Sequence, residues 1–379
     1  MNHIYLDYAA ASPIHPDVLK VMLPFFSEKF YNPSALYSEA RNVKEAMNSA
    51  RAQIGQVIGA RPSEIIFTAG GTESANLAIT GVAECFPGSE IIVSSIEHEA
   101  VLKPANKYNA NLIPVDEKGL VKLDCLRELI SDKTVLISVM YANNEVGTVQ
   151  PIKDISEIVK LVRVARLKKG IKTPIYLHTD AAQAPQYLDL NVARLGVDLM
   201  TLNGGKIYGP KQSGILFVKA GVKLRPIILG GGQEFGYRSG TENTASCIGF
   251  AKALDLATQN RTDTSKKVSE LAKYFMRELE NKFEVTINGH KKLRIPNNIH
   301  VTFKGADNER VLFYLDQNGI FASAGSACSA SSDEPSHVLK AMGISDKDAR
   351  SSIRFSLSKD TTKDEIDLVL KKLASALKA

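Results

Sequence analysis

From residue 65 to residue 218 the chain repeats one pattern: a short apolar run, a turn of glycine or polar residues, and then a stretch at helical spacing. The apolar runs show little alternation of polar and apolar residues. In chain order they are Ile65–Phe67, Ile91–Val93, Leu112–Val115, Val135–Met140, Ile175–Leu177, Leu199–Leu202 and Gly214–Val218. Strands of this kind, alternating with helices, are typical of a mainly parallel sheet covered by helices on both faces. The sequence therefore predicts an α/β fold.

Polar groups follow five of these strands. They are Gly70-Gly71-Thr72, His98, Asn144, Asp180 and Lys206. In an open α/β sheet, ligands bind at the carboxyl ends of the strands. These positions therefore predict a single ligand site at this edge of the sheet, built from five separate segments.

Lys206 follows the strand Leu199–Leu202 across a turn of Asn203, Gly204 and Gly205. A lysine on a glycine-rich turn at a strand end is well placed to reach a ligand. When desolvated, such a lysine loses its proton and forms a Schiff base with a carbonyl cofactor. The alternative is an exposed loop lysine without a ligand.

The neighbours of Lys206 at this edge each have a functional and a structural interpretation. The Gly70-Gly71-Thr72 turn either holds a phosphate with its N–H groups or only connects a strand to a helix. Asp180 either pairs with a protonated ring nitrogen or caps the segment after it. His98 either contacts a ring or is a structural histidine. Together with Lys206, these groups indicate pyridoxal 5′-phosphate (PLP) as the cofactor.

After residue 240 the pattern changes to longer helices and fewer strands, which indicates a smaller α+β domain. We predict a large cofactor-binding domain over residues 13–258 and a small domain made of residues 1–12 and 259–379. The polar stretch Gln259–Ser265 is predicted to link two helices. Residues 322–336, which are small and polar, are predicted to form a mobile active-site loop.

Two residues of this second part carry further chemistry. Cys328 lies among Ser, Ala and Gly residues, and a free thiol has a pKa near ~8.5. It is therefore either an inert cysteine or a nucleophile that the site it enters must activate. Arg354, in the segment SSIRF, is either a surface charge or a bidentate clamp for a carboxylate.

The composition, with 44% hydrophobic and 23% charged residues among 379, is that of a soluble globular protein. The net charge of +6 is mild, and helical spacing around the basic run Lys160–Lys172 favours a solvated helix face over a nucleic-acid-binding patch. No apolar run reaches the ~18 residues of a membrane span. The N-terminus does not have the pattern of a signal peptide. Four cysteines without a paired spacing suit a reducing cytoplasm.

Segments along nearly the whole chain resemble the cysteine desulfurase family, the fold type I PLP enzymes that take sulfur from L-cysteine. The segments are YLDYAAASP, YNPSALYS, FTAGGTESANLAI, SSIEHEAVL, YANNEVGTVQPI, HTDAAQ, KIYGPKQSG, GGGQE, RSGTEN, GSACSASSDEPSHVLKAMG and SSIRFSLS. The resemblance implies a large domain with a mainly parallel, seven-stranded-type sheet between helices. It also implies a homodimer that uses PLP and acts on L-cysteine.

The matching positions imply roles for individual residues. Lys206 is expected to hold the cofactor covalently and to act in catalysis, Asp180 to face the pyridine nitrogen, and His98 to stack on the ring and take part in catalysis. Cys328 is expected to accept the sulfur. Further cofactor contacts are implied for Gly71, Thr72, Asn144, Gln183, Asn203, Gly205 and, toward the phosphate of the partner subunit, Thr241. The substrate carboxylate is expected at Asn32 and Arg354.

The segment before Lys206 departs from the family pattern. The family usually has histidine directly before the lysine and serine two residues earlier, where this chain has Gly205 and Asn203. Loss of one charged hydrogen bond, ~1.5–3 kcal/mol, predicts cofactor binding weaker by roughly 10–100-fold. The backbone N–H of Gly205 is the candidate to replace the lost donor.

The resemblance implies conversion of L-cysteine to L-alanine, with a persulfide on Cys328 for an acceptor protein of iron–sulfur or tRNA thiolation pathways. One alternative is a PLP enzyme with another substrate, such as a selenocysteine lyase, against which the Cys328 loop argues. The other is a non-catalytic dimer that docks sulfur-relay partners. The presence of Lys206, Asp180 and Cys328 argues against that second alternative.

Overall fold

The computed structural model describes residues 3–325 and 334–378. The strands in these residues are β1 (Ile4–Tyr5), β2 (Ile65–Thr68), β3 (Glu90–Ser94), β4 (Asn111–Ile113), β5 (Thr134–Ser138), β6 (Tyr176–Asp180), β7 (Leu199–Asn203), β8 (Gly214–Val218), β9 (Val285–Asn288), β10 (Asn298–Phe303), β11 (Ile320–Phe321) and β12 (Ser352–Ser356). The α-helices are α1 (Pro16–Met22), α2 (Pro24–Ser27), α3 (Ser38–Ile58), α4 (Gly71–Ala83), α5 (Glu99–Asn106), α6 (Leu123–Leu129), α7 (Ile152–Lys168), α8 (Val192–Leu195), α9 (Thr244–Gln259), α10 (Arg261–Lys282), α11 (Asn308–Gln317), α12 (His337–Ala341), α13 (Asp346–Ala349) and α14 (Lys363–Ala376). Short 3₁₀ turns lie at Pro62–Glu64, Gly204–Lys206 and Glu234–Gly236.

The main sheet has seven strands in the order β2-β8-β7-β6-β5-β3-β4. Its pairs are parallel except at β8, which runs antiparallel to both of its neighbours. Successive residues of a strand pack on opposite faces: Ile92 belongs to one hydrophobic cluster, and Ile91 and Val93 belong to another. Helices cover both faces, so the predicted α/β fold with a mainly parallel sheet is confirmed.

The carboxyl ends of the parallel strands lie at one edge of this sheet, which positions the turns that follow them. Asp180 is the last residue of β6, and Asn203 is the last residue of β7. Strand β2 ends at Thr68, the two residues Ala69 and Gly70 turn the chain, and helix α4 begins at Gly71. Segments far apart in the sequence therefore converge at this edge.

The C-terminal part is built on two smaller sheets. Strands β9, β10 and β12 form an antiparallel sheet, and the N-terminal β1 pairs in parallel with β11. A third hydrophobic cluster joins residues of β1, β10, β12, α10, α11 and α14. Val338 and Leu339 of α12 belong instead to a cluster of the main sheet. The predicted domain limits at residues 12 and 258 stay a prediction.

The polar stretch Gln259–Ser265 is not the link that the sequence suggests. Helix α9 ends at Gln259, and α10 begins at Arg261 with only Asn260 between them. Thr264 is buried, and most residues around it are exposed. An exposed helical turn needs few apolar residues, so polar composition alone did not indicate a break correctly.

None of the helices that the structure describes combines the length and the apolar character that crossing a membrane requires.

Candidate active site

A cavity opens at the carboxyl edge of the seven-stranded sheet. Its walls come from segments that are distant in the sequence. The residues that line it are Ala9, Ala10, Gly71, Thr72, His98, Ala100, Met140, Ala142, Asn144, Asp180, Ala182, Gln183, Asn203, Lys206 and Arg354. The structure thus brings together most of the site residues that the sequence predicts.

Lys206 ends the 3₁₀ turn after β7 and directs its amine into the cavity. Its Nζ donates a hydrogen bond to the carbonyl oxygen of Ala10, and its own carbonyl accepts one from Nε2 of Gln186 at 3.0 Å. A Cβ atom at Gly204 would lie 2.1 Å from Oγ of Ser213, so only glycine fits in this turn. The turn therefore fixes the direction of the lysine.

Asp180 presents a buried carboxylate to the same cavity, and the residue is 9% exposed. One of its oxygens accepts a hydrogen bond from the N–H of Ala182 at 2.9 Å. Burial raises the pKa of Asp180, while that N–H and the positive charges of His98 and Lys206 oppose the rise. A cationic group bound in the cavity would compensate this buried charge.

His98 lies at the start of α5, and its Nδ1 accepts a hydrogen bond from the N–H of Ala100 at 3.1 Å. This bond fixes the imidazole as the N-terminal cap of the helix while the ring lines the cavity. His98 therefore has a structural role as a helix cap, and its place in the cavity is compatible with a functional one. Its contact with a cofactor ring stays a prediction.

The start of α4 forms the polar end of the cavity. Gly70, with φ of 124°, turns the chain so that the first N–H groups of the helix, at Gly71 and Thr72, have no partner within it. The Nδ2 atom of Asn203 lies 3.4 Å from the position of a Cβ atom at Gly71. Backbone N–H groups, the helix N-terminus and this amide are donors suited to a phosphate.

Gly205, which follows Gly204 in the 3₁₀ turn after β7, is buried and is not among the residues that line the cavity. Its N–H donates to Oδ1 of Asn203 at 3.0 Å. The N–H that could replace the missing histidine is therefore directed to Asn203 in this structure. The Asn203 amide becomes the candidate donor instead.

Arg354 lies on β12, is 1% exposed and reaches the cavity from the C-terminal part. Its Nη2 binds Oδ1 of Asp7 at 2.6 Å, and its Nη1 donates to the carbonyl oxygen of Asn144 at 3.0 Å. Its Nε is buried without a hydrogen-bond partner among the described residues. Gln183 also contacts the N-terminal segment and donates a hydrogen bond to the carbonyl oxygen of Ala9 at 3.0 Å. Both contacts connect predicted site residues to the N-terminal segment.

Two further predicted site residues lie away from this cavity, and a third lies outside the residues that the structure describes. Asn32 is in an exposed turn, where its Oδ1 accepts a hydrogen bond from the N–H of Ser34 at 2.9 Å. Thr241 is exposed and lines a second cavity together with Arg238. Cys328 lies in residues 326–333, outside the described residues.

Sequence reasoning missed Asp7 and Ala10. Both belong to the quoted segment YLDYAAASP, but nothing in their local pattern shows that they contact Arg354 and Lys206. The contacts depend on pairing between β1 and β11, which lie at opposite ends of the chain. Across residues 3–325 and 334–378, no three or more His, Cys, Asp or Glu side chains are grouped to hold a metal ion.

Comparison with known proteins gives the family. Residues 4–369 match the aminotransferase class-V family. The cysteine desulfurase IscS of Clostridium botulinum is 42% identical over 387 residues, which cover 100% of this chain and 95% of that protein. The chain belongs to the cysteine desulfurases of the class-V aminotransferase family.

Solved structures of this family agree in fold. A NifS-like protein superposes with a TM-score of 0.91 at 34% identity, with 100% of both chains covered. A structure of SspA in complex with cysteine gives a TM-score of 0.80 at 34% identity and covers 95% of this chain and 100% of that one.

Cysteine desulfurases of this family depend on PLP, and this chain is a PLP-dependent enzyme. The residues of the cavity fit the cofactor. A buried carboxylate suits a protonated ring nitrogen, the Lys206 amine suits the aldehyde, and the donors at the start of α4 suit the phosphate.

Proposed function

We propose that this chain removes the sulfur atom of L-cysteine, releases L-alanine and keeps the sulfur as a persulfide on Cys328. The observation that supports this most is the meeting of Lys206, Asp180 and Arg354 in one cavity. An amine, a buried carboxylate and a guanidinium are what an amino acid and PLP together require. Each comes from a different part of the chain.

Binding of the cofactor is assigned to the residues of the main sheet. Lys206 would hold it covalently, Asp180 would pair with the ring nitrogen, and His98 would contact the ring. The phosphate would be held by Gly71, Thr72 and Asn203, and the ring hydroxyl region by Asn144 and Gln183. When bound, PLP withdraws electrons from the Cα atom of an amino acid and thereby weakens its bonds.

The substrate is positioned by its carboxylate. Arg354 would bind that group through a guanidinium that Asp7 and the carbonyl of Asn144 already orient. The amine of Lys206, which lines the same cavity, would act as the base that takes the Cα proton of the substrate. Lys206 ends the 3₁₀ turn after β7 and lines the cavity, which would keep this base next to a bound substrate.

The sulfur transfer is assigned to Cys328. Its thiolate attacks the sulfur of the substrate, an S–S bond forms, and the C–S bond breaks with its electron pair left on the organic fragment. That fragment takes up protons and leaves as L-alanine. The enzyme thiol and L-cysteine thus give an enzyme persulfide and L-alanine, with no external oxidant.

We place the enzyme in the cytoplasm as a homodimer that hands sulfur to an acceptor protein, an iron–sulfur scaffold or a carrier for tRNA thiolation. The described cysteines, Cys85, Cys125 and Cys247, are free thiols, which suits a reducing compartment. Thr241 is exposed and apart from the cavity of its own chain, as expected for a residue that completes the partner's phosphate site.

The function is tested by incubating the purified enzyme with PLP, L-cysteine and a reductant. We expect catalytic L-alanine with an equal amount of sulfide. Lys206→Ala abolishes alanine formation because the base is lost, whereas Lys223→Ala, an exposed lysine, retains it. Cys328→Ala keeps the colour of the bound cofactor and forms no persulfide, whereas Cys125→Ala still forms it.

Three outcomes contradict the proposal in different ways. A yellow, PLP-loaded protein without alanine shows that the substrate is another amino acid, with L-selenocysteine the first to test. A colourless protein without alanine favours a docking dimer. A persulfide mapped to another cysteine removes Cys328 from its role.

A further inference from the structure

Glu97, the residue before His98, is a carboxyl group inside the protein that the proposed mechanism does not use. Its side chain is 0% exposed. Its Oε1 accepts two hydrogen bonds, from Oγ of Ser94 at 2.8 Å and from the N–H of Met140 at 2.6 Å. Its Oε2 is buried with no hydrogen-bond partner among the described residues.

This arrangement favours the neutral acid over the carboxylate. An ionised group with a bare oxygen in an apolar interior carries a large desolvation penalty, and a negative neighbour increases it. Burial raises the pKa of Glu97 to about 8, with a further rise from the charge of Asp180, while the donors Met140 and Ser94 oppose it. Since Oε1 already accepts two bonds, the proton belongs on Oε2.

Glu97 also fixes the turn between β3 and α5. Its side chain joins the end of β3, at Ser94, to Met140, a residue that lines the cavity just after β5. Its backbone carbonyl accepts a hydrogen bond from Nε2 of His337 at 2.9 Å, at the start of α12. The titratable groups around it are therefore Asp180 on β6, His98 on its own turn, and His337 on α12.

We propose that Glu97 is a positioning residue that acts in its protonated form: it anchors the turn that carries His98 to the end of β5 and keeps a second negative charge away from Asp180. Proton loss would place two carboxylates near each other, and their repulsion would disfavour the charged form of Asp180, on which pairing with a cationic ring depends. The inference rests on the proposed function, because that function gives His98 and Asp180 their roles.

Two variants of Glu97 separate the effect of its side-chain shape from the effect of its charge. Glu97→Gln keeps the length and the carbonyl acceptor and is neutral at every pH. Glu97→Ala removes the anchor. Glu99→Gln is the matched control, since Glu99 is the first residue of α5, two positions after Glu97, is partly exposed, and has its pKa lowered by the hydrogen bond with Lys103.

The first measurement uses the cofactor-free protein and does not depend on activity. The infrared carbonyl band of a protonated carboxylic acid is expected at pH 7 in the wild type and in Glu99→Gln, and it is lost in Glu97→Gln. The pH dependence of thermal unfolding also reports on the protonation state of Glu97. The pKa of Glu97 is raised from 4.5 to about 8 in the folded state, so its contribution to stability is complete below 4.5 and is lost as the pH rises to about 8. The Tm of the wild type should therefore fall relative to Glu97→Gln across this range.

The second measurement uses the PLP-loaded enzyme. At pH 7, kcat/KM for Glu97→Gln should lie within about threefold of the wild type, and Glu97→Ala should lose roughly 10–100-fold through loss of a buried anchor. The ratio of the Glu97→Gln rate to the wild-type rate should rise above pH 8, where only the wild type can lose this proton. The visible cofactor band should show the same pH step in the wild type only.

Absence of the protonated-acid band at pH 7 overturns the proposal, and so does a flat rate ratio through pH 8. Equal damage from glutamine and alanine shows that charge, rather than anchoring, matters. If Glu97→Ala does not fold, the glutamine variant still decides. A wild type that makes no alanine contradicts the proposed function, yet the cofactor-free measurements still report on Glu97.

Discussion

Arg354 holds a positive charge at a position that is 1% exposed, and Asp7 balances that charge at 2.6 Å. The pair is oriented further by the carbonyl oxygen of Asn144. A substrate carboxylate that enters the cavity therefore meets a guanidinium fixed in one orientation, with little side-chain entropy left to lose. It also has to share the guanidinium with Asp7.

Arg354→Gln tests this site. We expect the KM for L-cysteine to rise at least about tenfold with a smaller change in kcat, because the lost contact binds ground state and transition state alike. Steady-state alanine release measures both constants. Arg310→Gln, an exposed arginine on α11, should leave them unchanged. An unaltered KM in Arg354→Gln would remove this residue from the substrate site.

Local pattern was enough to predict some site residues and not others. Lys206, Asp180 and His98 each follow a strand that can be recognised from its own residues. Because the carboxyl ends of these strands meet at one edge of the sheet, the three residues are brought together there. Asp7 could not be predicted, because its contact with Arg354 depends on how the two ends of the chain meet. Glu97 could not be predicted as a buried acid either, since its burial depends on packing against residues after β5.

The departure from the family pattern at Gly205 is chemical rather than conformational. A Cβ atom there would lie 3.6 Å from Oδ1 of Asn203 and 3.7 Å from Cγ of Lys211, which are ordinary contacts. Glycine is therefore not required by the backbone at this position. The predicted weaker binding of PLP stays a prediction, and the Asn203 amide beside α4 is the donor to examine.

At the scale of elements, α4 is important because its first turn points into the cavity. The helix has 13 residues, and Gly70 before it adopts φ of 124° and ψ of −177°. Residues that carry a side chain rarely adopt this backbone conformation. A Cβ atom at Gly70 would still find space, since its nearest neighbour would be 3.9 Å away. Substitution would thus act through backbone strain rather than through a clash.

Gly70→Ala should lower the free energy of unfolding by about 1–3 kcal/mol and weaken PLP binding, because the strained turn displaces the N–H groups of α4. Thermal unfolding and a titration of the cofactor-free protein with PLP measure the two effects. Gly88→Ala is the control: Gly88 also has a positive φ, of 76°, with open space around it and no part in the cavity.

The control should lose stability and keep its affinity for PLP. If both variants bind PLP equally well, the start of α4 does not hold the phosphate. The result would then direct attention to Asn203.

Helices were predicted less well than strands where polar residues dominate. Strands β5, β6 and β8 of the main sheet are buried on both faces, so each of them is marked by its apolar composition. Helix α10 begins with Arg261-Thr262-Asp263, on a largely exposed turn where no apolar residue is needed. Tertiary packing of its later residues, such as Phe275, supports a helix whose first turn carries no sequence signal.

At the scale of the whole molecule, the segment from Leu19 to Tyr37 exposes a group of large apolar side chains. Between Leu19 and Tyr37 the exposed side chains include Leu19, Leu23, Phe26, Phe30, Leu36 and Tyr37, and Leu36 is 88% exposed. Soluble monomers rarely expose this many apolar groups together. This exposed apolar segment supports the proposed homodimer.

Leu23→Glu combined with Phe26→Glu should convert the dimer to a monomer of 41.3 kDa, because two charges per subunit would be buried in the interface. Light scattering after size-exclusion chromatography measures the mass. The monomer should also bind PLP more weakly, since Thr241 of the partner is lost. Leu161→Glu, at a site that is 72% exposed on α7, should remain dimeric.

A monomeric wild type would contradict the assembly and leave Thr241 without a role in cofactor binding. A double variant that keeps the dimeric mass would show that the dimer interface lies elsewhere. The exposed surface from Leu19 to Tyr37 would then need another partner.

The contacts of the N-terminal segment, residues 6–10, have a consequence for the order in which the enzyme folds during synthesis. Leu6 and Ala9 form hydrogen bonds with Phe321 and Ser356, and the carbonyl of Ala10 receives the Lys206 amine. Residues 6–10 therefore complete these contacts only after Phe321 and Ser356 have been synthesised. The main sheet can assemble from consecutive segments during synthesis, but the cavity is complete only when the C-terminal strands have emerged. We therefore expect the cofactor to be loaded only after β12 has been synthesised.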